Sequence, residues 1–207
     1  MTRRPALAAP LNRSQGFGLI ELLVVISIIA LFIGVSFGAY SYIRAQAEQE
    51  SAYALLTQAL GAEVEYKAQT RQVMVDSAID LSALLGAQAQ TNAPDATGTA
   101  AVGNMDKSIE VFVWQALSLP AAEDMLRAAA GTTALVDSDG DGFLELQDPW
   151  GNTVEYRASN DGSETDFPRH GAPFLASPGP DGVFGTYTNT NEPDDEARDN
   201  VLSYELK

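Results

Sequence analysis

The sequence predicts an α+β protein with one long N-terminal helix, a helical and loop-rich middle, and a small antiparallel sheet at the C-terminal end. Three observations lead there. Residues 22–40 form an apolar run without a single charge, and no proline occurs between Pro10 and Pro94. Residues 120–131 place Pro120 and Gly131 as a helix places its first turn and its stop. After Gly131, short runs such as Thr153-Val154-Glu155-Tyr156 and Val201-Leu202-Ser203-Tyr204 alternate apolar and polar residues between Gly, Asp, Asn and Pro clusters.

The N-terminal element comes first. Residues 1–16 carry Arg3, Arg4 and Arg13 and no acidic residue, the charged front of a targeting signal. The nineteen residues 22–40 span roughly 28 Å as a helix, about one hydrocarbon core. The run does not end in a small-residue cleavage site, so it suits an anchor. Arginines before it and net negative charge after it put the N-terminus in the cytoplasm and the bulk outside. Gly34 and Gly38 fit close helix packing, a softened helix, or the general abundance of glycine in membrane helices. Helical spacing continues through Ala45, Ala52, Leu55, Leu56, Ala59 and Leu60, and Gly61 is a candidate break. The helix is therefore expected over 17–70, with 17–43 crossing the membrane.

The middle segment, 71–135, is expected to be an insert of helix and loop. Residues 74–85 have an amphipathic pattern, and 87–104 have loop composition. Residues 109–119 are apolar and leave strand and helix both open. Ser118 is the expected cap of the helix that begins at Pro120. Residues 136–207 make the last unit, the sheet with its acidic loops.

The 207-residue chain has a net charge of −16, with sixteen acidic and four basic residues from Asp137 onward. Such a surface repels nucleic acid and favours cations. Cysteine is absent, which excludes disulfides, thiolate metal sites and cysteine nucleophiles. The sequence holds one histidine, His170, and none of the nucleophile-elbow, zinc-protease or phosphate-loop motifs. An enzyme is not expected.

Glu21 stands at the edge of the apolar run. A carboxylate near the bilayer centre costs roughly 2.5–3.5 kcal/mol, so a partner is expected. Gly16-Phe17 followed by Leu19-Ile20-Glu21-Leu22-Leu23 and an apolar helix resembles the class III signal of type IV pilins and of type II secretion pseudopilins, the major pseudopilins most of all. Gly18 stands where many members have Thr. The resemblance implies a prepilin peptidase that cuts between Gly16 and Phe17 and methylates the new amine. It implies that Glu21, fifth in the mature chain, neutralises the terminal amine of a neighbouring subunit. It also implies an inner-membrane assembly platform, other pilin subunits as partners, and a pilin-like fold in which the outer half of the long helix packs on the sheet. The work implied is that of a filament subunit; the alternative is a signal-anchored, calcium-dependent binding module that never polymerises.

Two acidic loops point to calcium. Residues 137–148 fit a twelve-residue calcium loop: Asp137, Asp139 and Asp141 at the first, third and fifth places, Gly142 at the sixth and the Phe143 carbonyl at the seventh. Glu145 takes the ninth place, and Asp148 closes the loop where an EF-hand has Glu, as dockerin loops do. The bare alternative is a solvated Asp-Gly turn. Asp148-Pro149-Trp150-Gly151 with Tyr156 resembles a segment of the major pseudopilins, and Trp150 and Tyr156 are expected to pack in the core or at a subunit interface. Residues 177–186 resemble the calcium loop of the same family, which implies Asp181 and a later Asp as ligands, with carbonyls near Leu175 and Ser177. Asp199 matches best and Asp194-Asp195 competes. The resemblance covers 14–45, 146–157 and 175–186, and leaves 71–135 without a counterpart.

Overall fold

A computed structural model describes residues 18–77, 81, 105–131, 133–160, 165–188 and 190–204. It has the pilin-like α+β architecture: a long apolar N-terminal helix followed by shorter helices and small antiparallel sheets. The chain divides into two compact units, Met1–Arg44 and Ala45–Lys207.

Helix α1, Leu19–Ala59, begins in the first unit. The large apolar side chains described there range from 42% exposed at Val25 to 83% at Leu19. A helix that is apolar all round needs lipid or other helices around it, because water would leave all of that surface solvated at a cost. Its hydroxyls are already satisfied. Ser27 Oγ donates to the Leu23 carbonyl at 2.8 Å and Ser36 Oγ to the Phe32 carbonyl at 2.7 Å. No polar side chain between Leu22 and Tyr40 thus lacks a partner, as a hydrocarbon environment requires.

In the second unit α1 turns amphipathic. Ala52, Leu56 and Ala59 are fully buried at helical spacing, and α2, Gly61–Thr70, continues that face with Ala62 and Tyr66. Leu60 separates the two helices, where Gly61 pointed to a break. Helix α3, Ser108–Leu117, settles the stretch that periodicity left open. Every residue of it except Trp114 is buried, so no polar face exists to reveal a period. It is central: it touches α2, α4, β2 and β3. Helix α4, Pro120–Ala130, has Pro120 in its first turn and ends at Gly131, whose φ of 62° suits glycine. Ser118 does not cap it. Leu119 occupies that place in extended backbone, and the Ser118 hydroxyl donates to the Gln115 carbonyl at 2.6 Å, closing α3 instead.

Strands β1, Leu135–Val136, and β2, Glu145–Leu146, pair antiparallel, with Leu135 opposite Leu146. Strands β3, Glu155–Arg157, β4, Phe174–Ser177, and β5, Val201–Leu202, form a three-stranded antiparallel sheet in that order. Tyr156 lies opposite Leu175, and Ala176 opposite Leu202. The core gathers Leu56, Ile109, Phe112, Leu126, Leu146, Tyr156, Leu175 and Val201. Tyr156 is fully buried, packs against Phe112 with the rings tilted by 36° and their centroids 4.7 Å apart, and donates its hydroxyl to the Met74 carbonyl at 3.2 Å. Trp150 is half-buried against the same core, and its indole N–H donates to Glu48 at 3.2 Å. Both aromatics pack against the core.

Of the amphipathic stretch 74–85, Met74 and Leu81 are buried and residues 74–77 are irregular; 78–80 and 82–85 lie outside the described residues, as does the expected loop 87–104.

Candidate functional site

Two places carry the chemistry expected of the chain. The first is the start of α1. Gly16 and Phe17 lie outside the described residues. Glu21 is in the first turn, and its Oε2 accepts the Gly18 N–H at 2.9 Å. That N–H has no intrahelical acceptor, so the carboxylate reaching back satisfies it and faces the positive end of the helix dipole. Gly18 in turn accepts from the N–H groups of Glu21 at 3.0 Å and Leu22 at 3.1 Å. Glu21 therefore sits at the head of a membrane-length apolar helix, held by backbone that directly follows residue 17.

The second place is the acidic turn between β1 and β2. The carboxylates of Asp137, Asp139 and Asp141 each offer an oxygen within 4.8 Å of the other two. The turn folds around its own side chains: Asp137 accepts the N–H groups of Gly140 at 2.7 Å and Gly142 at 3.2 Å, and Asp141 accepts that of Phe143 at 2.8 Å. The donors are hard oxygens, which fits a hard divalent cation. Phe143 is buried in a small cluster with Leu81, Met105 and Val111, which anchors the turn to α3.

The other two expected ligands of that loop are engaged elsewhere. Glu145 is fully buried and accepts from Lys107 Nζ at 2.6 Å, from the Ser138 N–H at 2.8 Å and from its hydroxyl at 2.8 Å. Asp148 accepts from the N–H groups of Trp150 at 3.0 Å and Asn152 at 2.8 Å, and from the Ser177 hydroxyl at 2.6 Å. Asp148 thus shapes the Asp-Pro-Trp-Gly turn and ties it to β4.

Sequence reasoning missed three residues of this site, Asp106, Lys107 and Glu110. They stand at the start of α3, about thirty residues before the loop. The Lys107 ammonium bonds Asp139 and Glu145 and lies 3.4 Å from Glu110. Desolvation works against its charge, but the bonds to Asp139 and Glu145 outweigh that and hold its pKa above the ordinary value. Glu110 accepts the N–H groups of Asp106 at 3.1 Å and Lys107 at 3.5 Å, capping α3. Burial, reinforced by Asp141, pushes its carboxyl up to about 7. Burial also raises Asp141, with Asp139 and Asp137 adding to it. The Lys107 bond lowers Asp139. Only the run Asp106-Lys107-Ser108-Ile109-Glu110 signalled this end of α3, as a charged helix start.

The second acidic loop closes on itself. The Asp181 side chain is exposed and accepts the Val183 N–H at 2.9 Å. A Cβ on Gly179 would lie 2.6 Å from the Asp199 carbonyl oxygen, so the loop lies directly against Asp199. Asp194 accepts from the Thr186 N–H and hydroxyl at 2.9 and 2.6 Å and from the Ala197 N–H at 2.8 Å, pinning the segment 186–197. His170 stacks flat on Tyr204 at 3.9 Å.

Set against known proteins, the chain matches no curated protein and no solved structure. Residues 11–37 match the prokaryotic N-terminal methylation motif, which indicates a type IV pilin-like protein.

Proposed function

We propose that the chain is a structural subunit of a type IV pilus-like or type II secretion pseudopilus filament. In this reading a prepilin peptidase cuts between Gly16 and Phe17 and methylates the new amine. The mature subunit waits in the inner membrane, N-terminus cytoplasmic and acidic unit periplasmic, and an assembly platform moves it into a filament. The single observation that carries the reading is the coincidence of the methylation motif with an exposed, charge-free apolar helix headed by Glu21. A lone carboxylate entering a packed bundle of such helices needs a positive charge, and the freshly cut amine of a neighbour supplies one. Proteins of the pilin-like kind are typically structural rather than enzymatic.

The test is processing. Gly16→Val should leave the chain at its precursor size on a gel, whereas the unaltered chain should yield a mature form beginning with methylated Phe17. Normal maturation of the variant would overturn the reading. Glu21→Leu should still be cut but should lose the crosslinked ladders of neighbouring subunits in cells. Ladders that persist without Glu21 would refute its role, and their absence from the unaltered chain would favour the monomeric binding module.

Calcium is the cation we assign to the acidic loops. Asp137, Asp139 and Asp141, with the Phe143 carbonyl, would hold it in the first loop, and Asp181 with Asp199 in the second. What supports this is the convergence of three carboxylates on one turn in a chain that has no disulfide to staple its loops.

A further inference from the structure

The acidic turn faces a second set of carboxylates that no spacing rule connects to it. Asp106, Glu110 and Asp139 each offer an oxygen within 4.8 Å of the other two, so Asp139 belongs to both this group and the Asp137 turn. Glu110 is the informative member. Its side chain is wholly buried, and its Oε1 accepts no hydrogen bond. Leaving a buried carboxylate oxygen without a donor is costly unless a positive charge faces it. The Lys107 ammonium does so at 3.4 Å, but it is shared with Asp139 and Glu145. Among the described residues, the Lys107 ammonium alone faces Glu110, Asp139 and Glu145, while Asp139 also lies within 4.8 Å of Asp106, Asp137 and Asp141.

We propose that Asp106 and Glu110, at the start of α3, complete the acidic turn as a divalent-cation site, and that the Lys107 ammonium is the counter-ion the cation displaces. This rests on the calcium reading above and specifies its ligands. The buried Glu110 carboxylate, whose Oε1 accepts no hydrogen bond, adds a closing ligand from α3, and Lys107 leaving also frees Glu145 Oε1 of its ammonium. The Lys107 side chain is 27% exposed and on a flexible stem, so it can swing to solvent when the ion enters. Binding then couples the insert to the β1–β2 hairpin, because the ligands come from both.

The experiment is a calorimetric titration of the full chain, purified in detergent and stripped with a chelator, against calcium chloride. The unaltered chain should bind. Asp106→Asn, at an exposed position, and Glu110→Gln should each weaken binding by roughly 10–100-fold. Lys107→Met should tighten it several-fold, because the competing charge is gone. Binding by Asp106→Asn and Glu110→Gln equal to that of the unaltered chain would overturn the proposal while leaving calcium in the Asp137 turn. Weaker binding by Lys107→Met would overturn the displacement. No binding by the unaltered chain would remove the calcium reading itself.

Discussion

Asp148 is the residue on which two readings of the same side chain diverge most clearly. As the twelfth residue of a calcium loop it would act through an ion. In the structure it acts through hydrogen bonds: Oδ1 accepts the N–H groups of Trp150 and Asn152 at 3.0 and 2.8 Å, and Oδ2 accepts the Ser177 hydroxyl at 2.6 Å. The residue is only 6% exposed. Hydrogen bonds to a charged acceptor contribute about 1.5–3 kcal/mol each, and three on one carboxylate are not additive. Asp148→Ala leaves three donors without an acceptor, so we expect a loss of about 4 kcal/mol. Asp148→Asn keeps one oxygen for the two N–H groups but loses the charge and the Ser177 acceptor, so about 2 kcal/mol is expected. In a unit of this size 1 kcal/mol moves the melting temperature by about 2–4 °C. The assay is thermal unfolding by circular dichroism, run in calcium and again in chelator. The hydrogen-bond account predicts the same loss in both. A melting temperature for Asp148→Ala within about 2 °C of the unaltered chain would refute it, and a deficit that vanishes in chelator would show the carboxylate acting through an ion instead.

Three further predictions follow from burial and close contact. Glu63 is 4% exposed, and burial raises its pKa above the ordinary 4.5 despite Lys67 nearby. The folded chain then holds that proton more tightly than the unfolded one, so the stabilisation is complete below about pH 4.5 and is lost as pH rises through the raised value. Glu63→Gln should gain on the unaltered chain as pH rises, in urea unfolding at a series of pH values; a gap that is constant with pH would sink this. Leu56→Ala, at a fully buried core position, should cost about 3 kcal/mol in the same unfolding assay, and a loss under 1 kcal/mol would mean α1 does not share the core. Gly179→Ala combines a φ of 75° with a contact 2.6 Å from the Asp199 carbonyl oxygen, so a loss of roughly 3 kcal/mol is expected by thermal unfolding; an unchanged melting temperature would contradict the close approach.

The long helix, the second helix of the insert and the strands around Tyr156 and Val201 were legible because their signals are local. A charge-free run, a proline and glycine at the ends of a helix, and period-two alternation each follow from one element's own surroundings. Helix α3 was not legible. Helices α2 and α4 and strands β2 and β3 surround it, and burial on all sides erases the polar face that would mark its period. Ser118 was misplaced by one helix because a hydroxyl can close the end of one helix as readily as open the next.

The sequence alone determined that a basic leader is followed by a membrane-length apolar helix headed by Glu21, and that the C-terminal half concentrates carboxylates in tight turns. Those properties depend on residue type and spacing along the chain. Tertiary structure decided which carboxylates share a site. It carried Asp106 and Glu110 to Asp139, set Lys107 among them, and turned Asp148 toward Ser177. The reason is one of range: charge and hydrogen bonding act over a few ångströms, and residues thirty apart come that close only when the core between them has packed.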